Sequence, residues 1–575
     1  MKFVHHLALW LLVPACLHWA WAMPKRKCED ESSEDWKDWS INLATSNQVP
    51  ATLAKTNIEK GNKSGAAGHK FKGKKGKDNA ARTMRRARKK VSTPNNWPPL
   101  YWAKVPLRDP KTNQRIESWY PFLLPHEWLP SLLSSADAAQ ACKPKAGSKL
   151  CHALSHICAM LGLPVDGTIA IGLHGDAVPV LGTIRKASLD FITINVPFCK
   201  TFDDRVPFTV IQTKYIWEQE TKDEIWKVLL WSLACLKKGK YPSVRHDGTK
   251  FGPSDSKRKK FTGTFAHKFI LGEIRGDRDW YNQWLQAQTY NTLSGMCWIC
   301  SATHSTFKHM TIEERSCTKT KETFVHNVIS IGKKLSSFWG PPEHIPSLLL
   351  CPDWLHSCDQ GVGADIAGQL LVEVAQKCPG NNFKERLSHL WKDIQKLYVE
   401  FQTPYKFQTL NPEGLNKGKK SKGPPTLKGL AAQVRYMVPL LPVLTNKYLD
   451  MSFPHNLACY RLARFLAQAY EAMECNDTAA LLKAGQKMAQ QYVELEKEAL
   501  EKENSTDFHI MPKLHLFQHL CEMKHPPKDT WCYKDETFGH TVSKLFTRRG
   551  GKDNPGHNAS EVLDRWTYSN PFPLL

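Results

Sequence analysis

Residues 168–176 read TIAIGLHGD, an apolar run that ends on Asp176. That length and composition predict a buried strand. DFITINVPF at 190–198 and PFTVIQTK at 207–214 predict two more strands. Thr221 and Glu224 form a capping-box pattern ahead of IWKVLLWSLACLKK, which spaces its large apolar residues like a packed helix. A basic, polar loop at 240–260 then leads to HKFILGEIRGD, a fourth strand ending at Asp277. A Gly-Asp dipeptide is by default a turn, so the reading rests on each acid closing an apolar strand. Glu273 and Asp279 are the neighbouring acids that could stand in for Asp277.

Strand, strand, strand, helix, strand is the opening order of a ribonuclease-H-like nuclease core. The fold class expected is therefore α/β: a ribonuclease-H-like mixed-sheet core interrupted by a large, mainly helical, zinc-containing insertion. In a mixed sheet, distant strands become neighbours and far-apart acids can meet. A third acid, Glu536, opens a late amphipathic segment, YKDETFGHTVSK, in which Glu536, His540 and Lys544 fall at successive i,i+4 positions. Asp535 competes with Glu536, but only Glu536 shares that stripe. Carboxylates suit magnesium, and His540 and Lys544 are candidates to position a phosphate.

Cys297 and Cys300 have the spacing that lets two thiolates share one zinc ion. Their partners could be His304 and His309 nearby, or Asp353, His356 and Cys358 in CPDWLHSCD. Asp353 and His356, three positions apart, favour Cys297, Cys300 and His356 as ligands with Asp353 as fourth ligand or orienter. Beyond them, helical periodicity marks 383–402, then 455–474 and 479–502 as a hairpin, with a basic linker at 414–425 between. His515 and His519 in PKLHLFQHL share one helical face.

The chain has 575 residues, and its 79 Lys+Arg against 55 Asp+Glu leave a formal charge of +24. Such a surplus attracts a polyanion through long-range potential and counterion release, with nucleic acid the leading partner. Residues 1–22 have the basic start, apolar stretch and small-x-small end of a secretory signal; Met23 is an alternative start, followed by the nuclear-targeting-like Lys25, Arg26 and Lys27. Acceptor triplets at Asn62, Asn476, Asn504 and Asn558 are compatible with secretion. Seventeen cysteines leave at least one unpaired, which favours thiols or metal ligands. No stable membrane span follows the leader. The expected division is 1–22 leader, 23–96 basic arm, 97–290 first part of the core, 291–530 inserted zinc and helical region, and 531–575 terminal catalytic helix and tail.

The landmarks GDAVP with ITINVPF, EIRGDRDW, CWIC, CPDWLHSCDQGVGADIAGQLL, PKLHLFQHL and YKDETFGHTVSK resemble those of cut-and-paste transposases of the CACTA-like and Plavaka-like group. The resemblance runs from about Ala170 to Leu545. It implies that Asp176, Asp277 and Glu536 are the catalytic carboxylates, holding Mg2+ or Mn2+, and that Cys297, Cys300, Asp353 and His356 belong to an inserted zinc module. The implied reaction is hydrolysis of a DNA phosphodiester followed by strand transfer into target DNA, in the nucleus and by a homo-oligomer that pairs element ends. Two alternatives stand beside it: a domesticated, non-catalytic DNA- or chromatin-binding protein, and a secreted structural or adhesion protein.

Overall fold

The computed structural model describes residues 97–180, 188–196, 205–290, 292, 295–418, 423–503, 506–547, 554–570 and 572. The leader, the basic arm, Asn62 and Asn504 lie outside the described residues. Two strands that sequence reading passed over come first: β1 (Tyr101–Arg108) and β2 (Arg115–Phe122) form an antiparallel hairpin, followed by helices α1 (Pro125–Leu132) and α2 (Lys149–Leu161).

The main sheet is built from β3 (Thr168–Pro179), β4 (Ser188–Asn195), β5 (Arg205–Gln212) and β6 (Lys268–Arg275), in the order β5-β4-β3-β6. β3, β4 and β5 pair antiparallel, while β6 lies parallel to β3. β3 does not turn at its Gly-Asp pair. It continues to Pro179, with Asp176 opposite Phe191 on β4. The parallel crossover from β5 to β6 is made by α3 (Glu218–Lys238). That helix begins before the predicted capping box, so Thr221 sits buried in its first turn, donating to the Pro106 carbonyl (2.5 Å) and accepting from the Trp217 amide (2.7 Å).

The two faces of the sheet are covered differently. On one, Trp226 of α3 packs edge-on against Trp280 and Trp284 of α4 (Arg278–Leu285), with ring centroids 6.2 and 5.6 Å away. Gly175 faces this side, and a Cβ there would stand 1.9 Å from the Trp280 ring. The tryptophan therefore lies directly on the strand backbone.

After α4 the chain leaves the sheet. A short stretch returns to it, because the Cys351 amide donates to the Ile274 carbonyl and Leu350 bridges Ile274 in parallel. A π-helical turn (Leu355–Val362) then leads into α5 (Gly363–Lys377), α6 (Phe383–Glu400), α7 (Pro454–Glu474), α8 (Thr478–Glu501) and α9 (Lys513–Glu522). These helices bury their own hydrophobic cluster, from Met296 to Cys521. The predicted hairpin is α7 against α8.

α10 (Tyr533–Thr547) returns to the other face of the sheet. Gly539 allows the close approach: a Cβ there would stand 2.7 Å from Val178 and 3.2 Å from Phe191. α11 (Pro555–Ser569) closes over β2 and β5, and its Asn558 is buried, which excludes a glycan there in the folded protein. The result is a mixed α/β core joined to a large, mainly helical region. No helix among the described residues is long and apolar enough to cross a membrane.

Candidate active site and metal cluster

Three elements bring acids to one end of the sheet. Asp176 projects from β3 on the α10 side and is 7% exposed. Asp277 follows β6 and caps α4, its Oδ1 accepting from the Trp280 amide at 2.6 Å. Glu536 lies in the first turn of α10, near enough to Asp176 to hydrogen-bond with it when one of the two is protonated.

Burial, and then the charges of Glu536 and Asp277, hold the Asp176 carboxyl well above the usual range. Burial likewise raises Asp277 against the Trp280 amide, and raises Glu536 against the His356 charge. Carboxyls that repel each other in this way favour a shared cation. Their oxygen donors suit a hard divalent ion. They are not collapsed into one compact ligand set, as the cysteines and histidines described below are.

Asp353 and His356 also belong to this site and not to the cysteine pair. The short return beside β6 carries Asp353 past the end of that strand, next to Asp277. Asp353 Oδ2 accepts from the His356 amide (2.9 Å) and pairs with His356 Nδ1 (2.7 Å), while Oδ1 accepts from the Cys532 amide (2.8 Å). His356 Nε2 is thereby aimed at Glu536 Oε1, 3.5 Å away. Burial opposes a charge on His356, but the bond to Asp353 and the charges of Asp353, Glu536 and Asp277 lift it to about 9. At neutral pH it is an imidazolium beside the acids.

The competitors of the predicted acids are committed elsewhere. Asp535 is fully buried in the sheet interface, bonded to Arg205 Nε (2.5 Å) and Asn195 Nδ2 (3.3 Å), with Arg275 at 4.0 Å. It groups with His174 and Cys532 in a geometry that could hold a metal, but the two arginines already neutralise it and would repel a cation. Glu273 pairs with Arg275 at 2.6 Å, and Asp279 is exposed. His540 and Lys544 continue the Glu536 stripe along the exposed side of α10.

Cys297 and Cys300 do form half of a candidate metal cluster, but its other half is His515 and His519 of α9, one turn apart and both buried. Cys300 Sγ lies 3.2 Å from His515 Nε2, Cys297 Sγ 3.5 Å from His519 Nε2, and the two Nε2 atoms 3.1 Å apart. A zinc ion with bonds of about 2.0–2.3 Å spans donors at such separations in a tetrahedron. Despite the burial, bonding to Cys300 and the two imidazoles holds the Cys297 thiol well below its usual range.

The nearby alternatives are excluded by placement. His304 and His309 are exposed, and Cys358 is buried in the π-helical turn beside Asp359. The helix-face spacing of His515 and His519 was the available signal. The three-residue spacing of Asp353 and His356 pointed to His356 instead, whereas folding joins residues 215 and 222 positions apart.

No protein-family model matches the chain, and no curated protein matches its sequence.

Proposed function

We propose that this chain is a ribonuclease-H-like DNA-processing protein of the transposase type, which hydrolyses a phosphodiester and transfers the freed end into target DNA. The observation that carries this reading is the convergence of Asp176, Asp277 and Glu536 from two adjacent parallel strands and a returning helix. The strand order β5-β4-β3-β6 supports the same fold. Magnesium or manganese bound by these acids would activate the attacking oxygen and stabilise the leaving one. Asp353 fixes the ring of His356, and the imidazolium, beside Glu536, is placed to offset negative charge on a bound phosphodiester. Zinc held by Cys297, Cys300, His515 and His519 would be structural, because the four donors close the site to water. It would tie the segment after Asp277 to the helix before Glu536. Action on chromosomal DNA implies a nuclear protein, and joining two DNA ends implies a homo-oligomer.

A second reading, a non-catalytic DNA- or chromatin-binding protein of the same descent, is favoured by one observation. Asp277 and Asp176 each accept a local backbone amide, at 2.6 and 2.7 Å, which are structural uses of both acids. Incubation of the full chain with DNA and Mg2+ or Mn2+ separates the two. Transposase-type chemistry predicts cleavage that falls at least about a thousandfold in Asp176→Asn, Asp277→Asn and Glu536→Gln, with DNA binding retained. Binding without metal-dependent cleavage in the wild type would leave only the second reading.

A further inference from the structure

The loop joining α3 to β6 takes no part in the acidic site, yet it is a built structure. Its neck is zipped by a bridge between Lys240 and Thr264 and by the Phe265 amide donating to the Gly239 carbonyl (2.7 Å). A second bridge, Val244 to Lys250, folds its tip. Inside, Tyr241 stacks on Phe261 with ring centroids 5.3 Å apart.

Two arginines of the loop are turned inward. Arg245 pairs with Asp255 (2.5 Å), Arg258 pairs with Glu127 (2.7 Å), and both guanidinium groups lie over the Tyr101 ring, at 4.6 and 5.2 Å. Tyr101 in turn bonds His246 through its hydroxyl (2.6 Å). The acid Asp255 is thus consumed inside, and Asp247 is held by Thr249.

The lysines point the other way. Lys238, Lys240, Lys250, Lys257, Lys259 and Lys260 are all exposed. A carboxylate within ion-pair distance is found for none of the six among the described residues. Fixed backbone with unpaired ammonium groups is the arrangement that binds phosphates without reading bases.

We propose that this loop is a docking surface for the phosphate backbone of duplex DNA, away from the acidic site. The inference rests on the DNA reading above and locates a second contact for it. β6 runs from Lys268, just after the loop, toward Asp277. At about 3.3 Å per residue the root of the loop at Lys268 and Asp277 stand roughly 30 Å apart. A duplex touching both would be held some nine base pairs from the point of chemistry, at about 3.4 Å per pair. The lysines would then set where along the duplex the acids act.

The test uses the full chain. Acetylation of surface lysines, read by mass spectrometry with and without a duplex, is expected to show protection at Lys250, Lys257, Lys259 and Lys260. Substitution of these four by glutamine is expected to lower the slope of log affinity against log salt by up to roughly 3.6, at about 0.9 per lost phosphate contact. Substitution by arginine should restore it, and thermal unfolding should be unchanged in both variants. DNA binding with these lysines unprotected and the slope unchanged would overturn the proposal while leaving the DNA reading intact. Protection by polyglutamate equal to that by duplex would overturn it as well. Protection by duplex with no metal-dependent cleavage would uphold the surface and remove the catalytic reading.

Discussion

Asp535 and Glu536 are consecutive residues with opposite surroundings. Asp535 points into the sheet, where burial opposes its charge but His174, Arg275 and Arg205 hold its carboxyl below the usual range. Glu536 points to the acids, and its carboxyl is raised. Asp535→Asn should remove the buried countercharge facing Arg205 and Arg275 and cost about 3–5 kcal/mol. Glu536→Gln, which removes a repelled charge, should leave stability unchanged or higher; chemical denaturation of the two variants compares them directly. Another residue-scale consequence concerns His126. Ser232 Oγ accepts from the His126 amide (3.1 Å) and lies 2.8 Å from Nδ1 of the buried ring. Burial and then Arg258 depress this histidine to about 3. Its folded value lies below its unfolded value of about 6.5, so its contribution is present above pH 6.5 and is lost as pH falls. The stability difference between wild type and His126→Asn should therefore shrink by about 1.4 kcal/mol per unit below pH 6.5. A difference that is flat from pH 6.5 to 4.5 would mean that the ring takes up a proton in the fold.

At the scale of elements, β3 and α4 meet without a side chain between them. Gly175→Ala would drive a methyl into the Trp280 ring, which is itself boxed by Trp226 and Trp284. A loss of about 3 kcal/mol or more is expected, at the upper end of overpacking costs, with near-ultraviolet dichroism of the tryptophans as a second readout. The four strands of the main sheet were legible because each is a largely apolar run between polar breaks, as burial on both faces requires, and α3 because its large apolar residues recur at helical spacing. The hairpin β1–β2 was not. Its outer residues, such as Trp102, Lys104 and Trp119, are exposed, and it packs only along one side. The acid within β3 and the one that follows β6 could be picked out from strand order, whereas the partners of Cys297 and Cys300 could not, since a CxxC does not say which distant helix will face it. That assignment has its own test. His515→Ala should abolish one equivalent of bound zinc, expose Cys297 and Cys300 to thiol reagents and loosen α9, seen as faster amide exchange from Lys513 to Glu522. Retention of the metal in that variant would move the site elsewhere.

For the molecule as a whole, the acidic site gathers carboxyls whose charge His356 offsets in part and a divalent ion would offset further. Asp176, Asp277 and Glu536 all have raised carboxyls in the fold. A carboxyl whose folded value exceeds its unfolded one favours the fold at low pH, and that contribution is lost as pH rises through the folded value. Three carboxyls whose charged forms the fold disfavours thus meet at the junction of β3, β6 and α10, and a divalent ion there would favour those charged forms. Asp176→Asn removes one of them at its most buried position, so the metal-free variant should melt above the metal-free wild type. Addition of Mg2+ or Mn2+ should then raise the wild-type midpoint by mass action, by about 2.7 kcal/mol of stability at a hundred times the dissociation constant, and should shift the variant much less. The two curves are expected to approach or cross as metal is added. Equal shifts in both proteins would place the bound cation away from Asp176, and a variant less stable than the wild type without metal would mean that these carboxylates are held by the fold and not opposed by it.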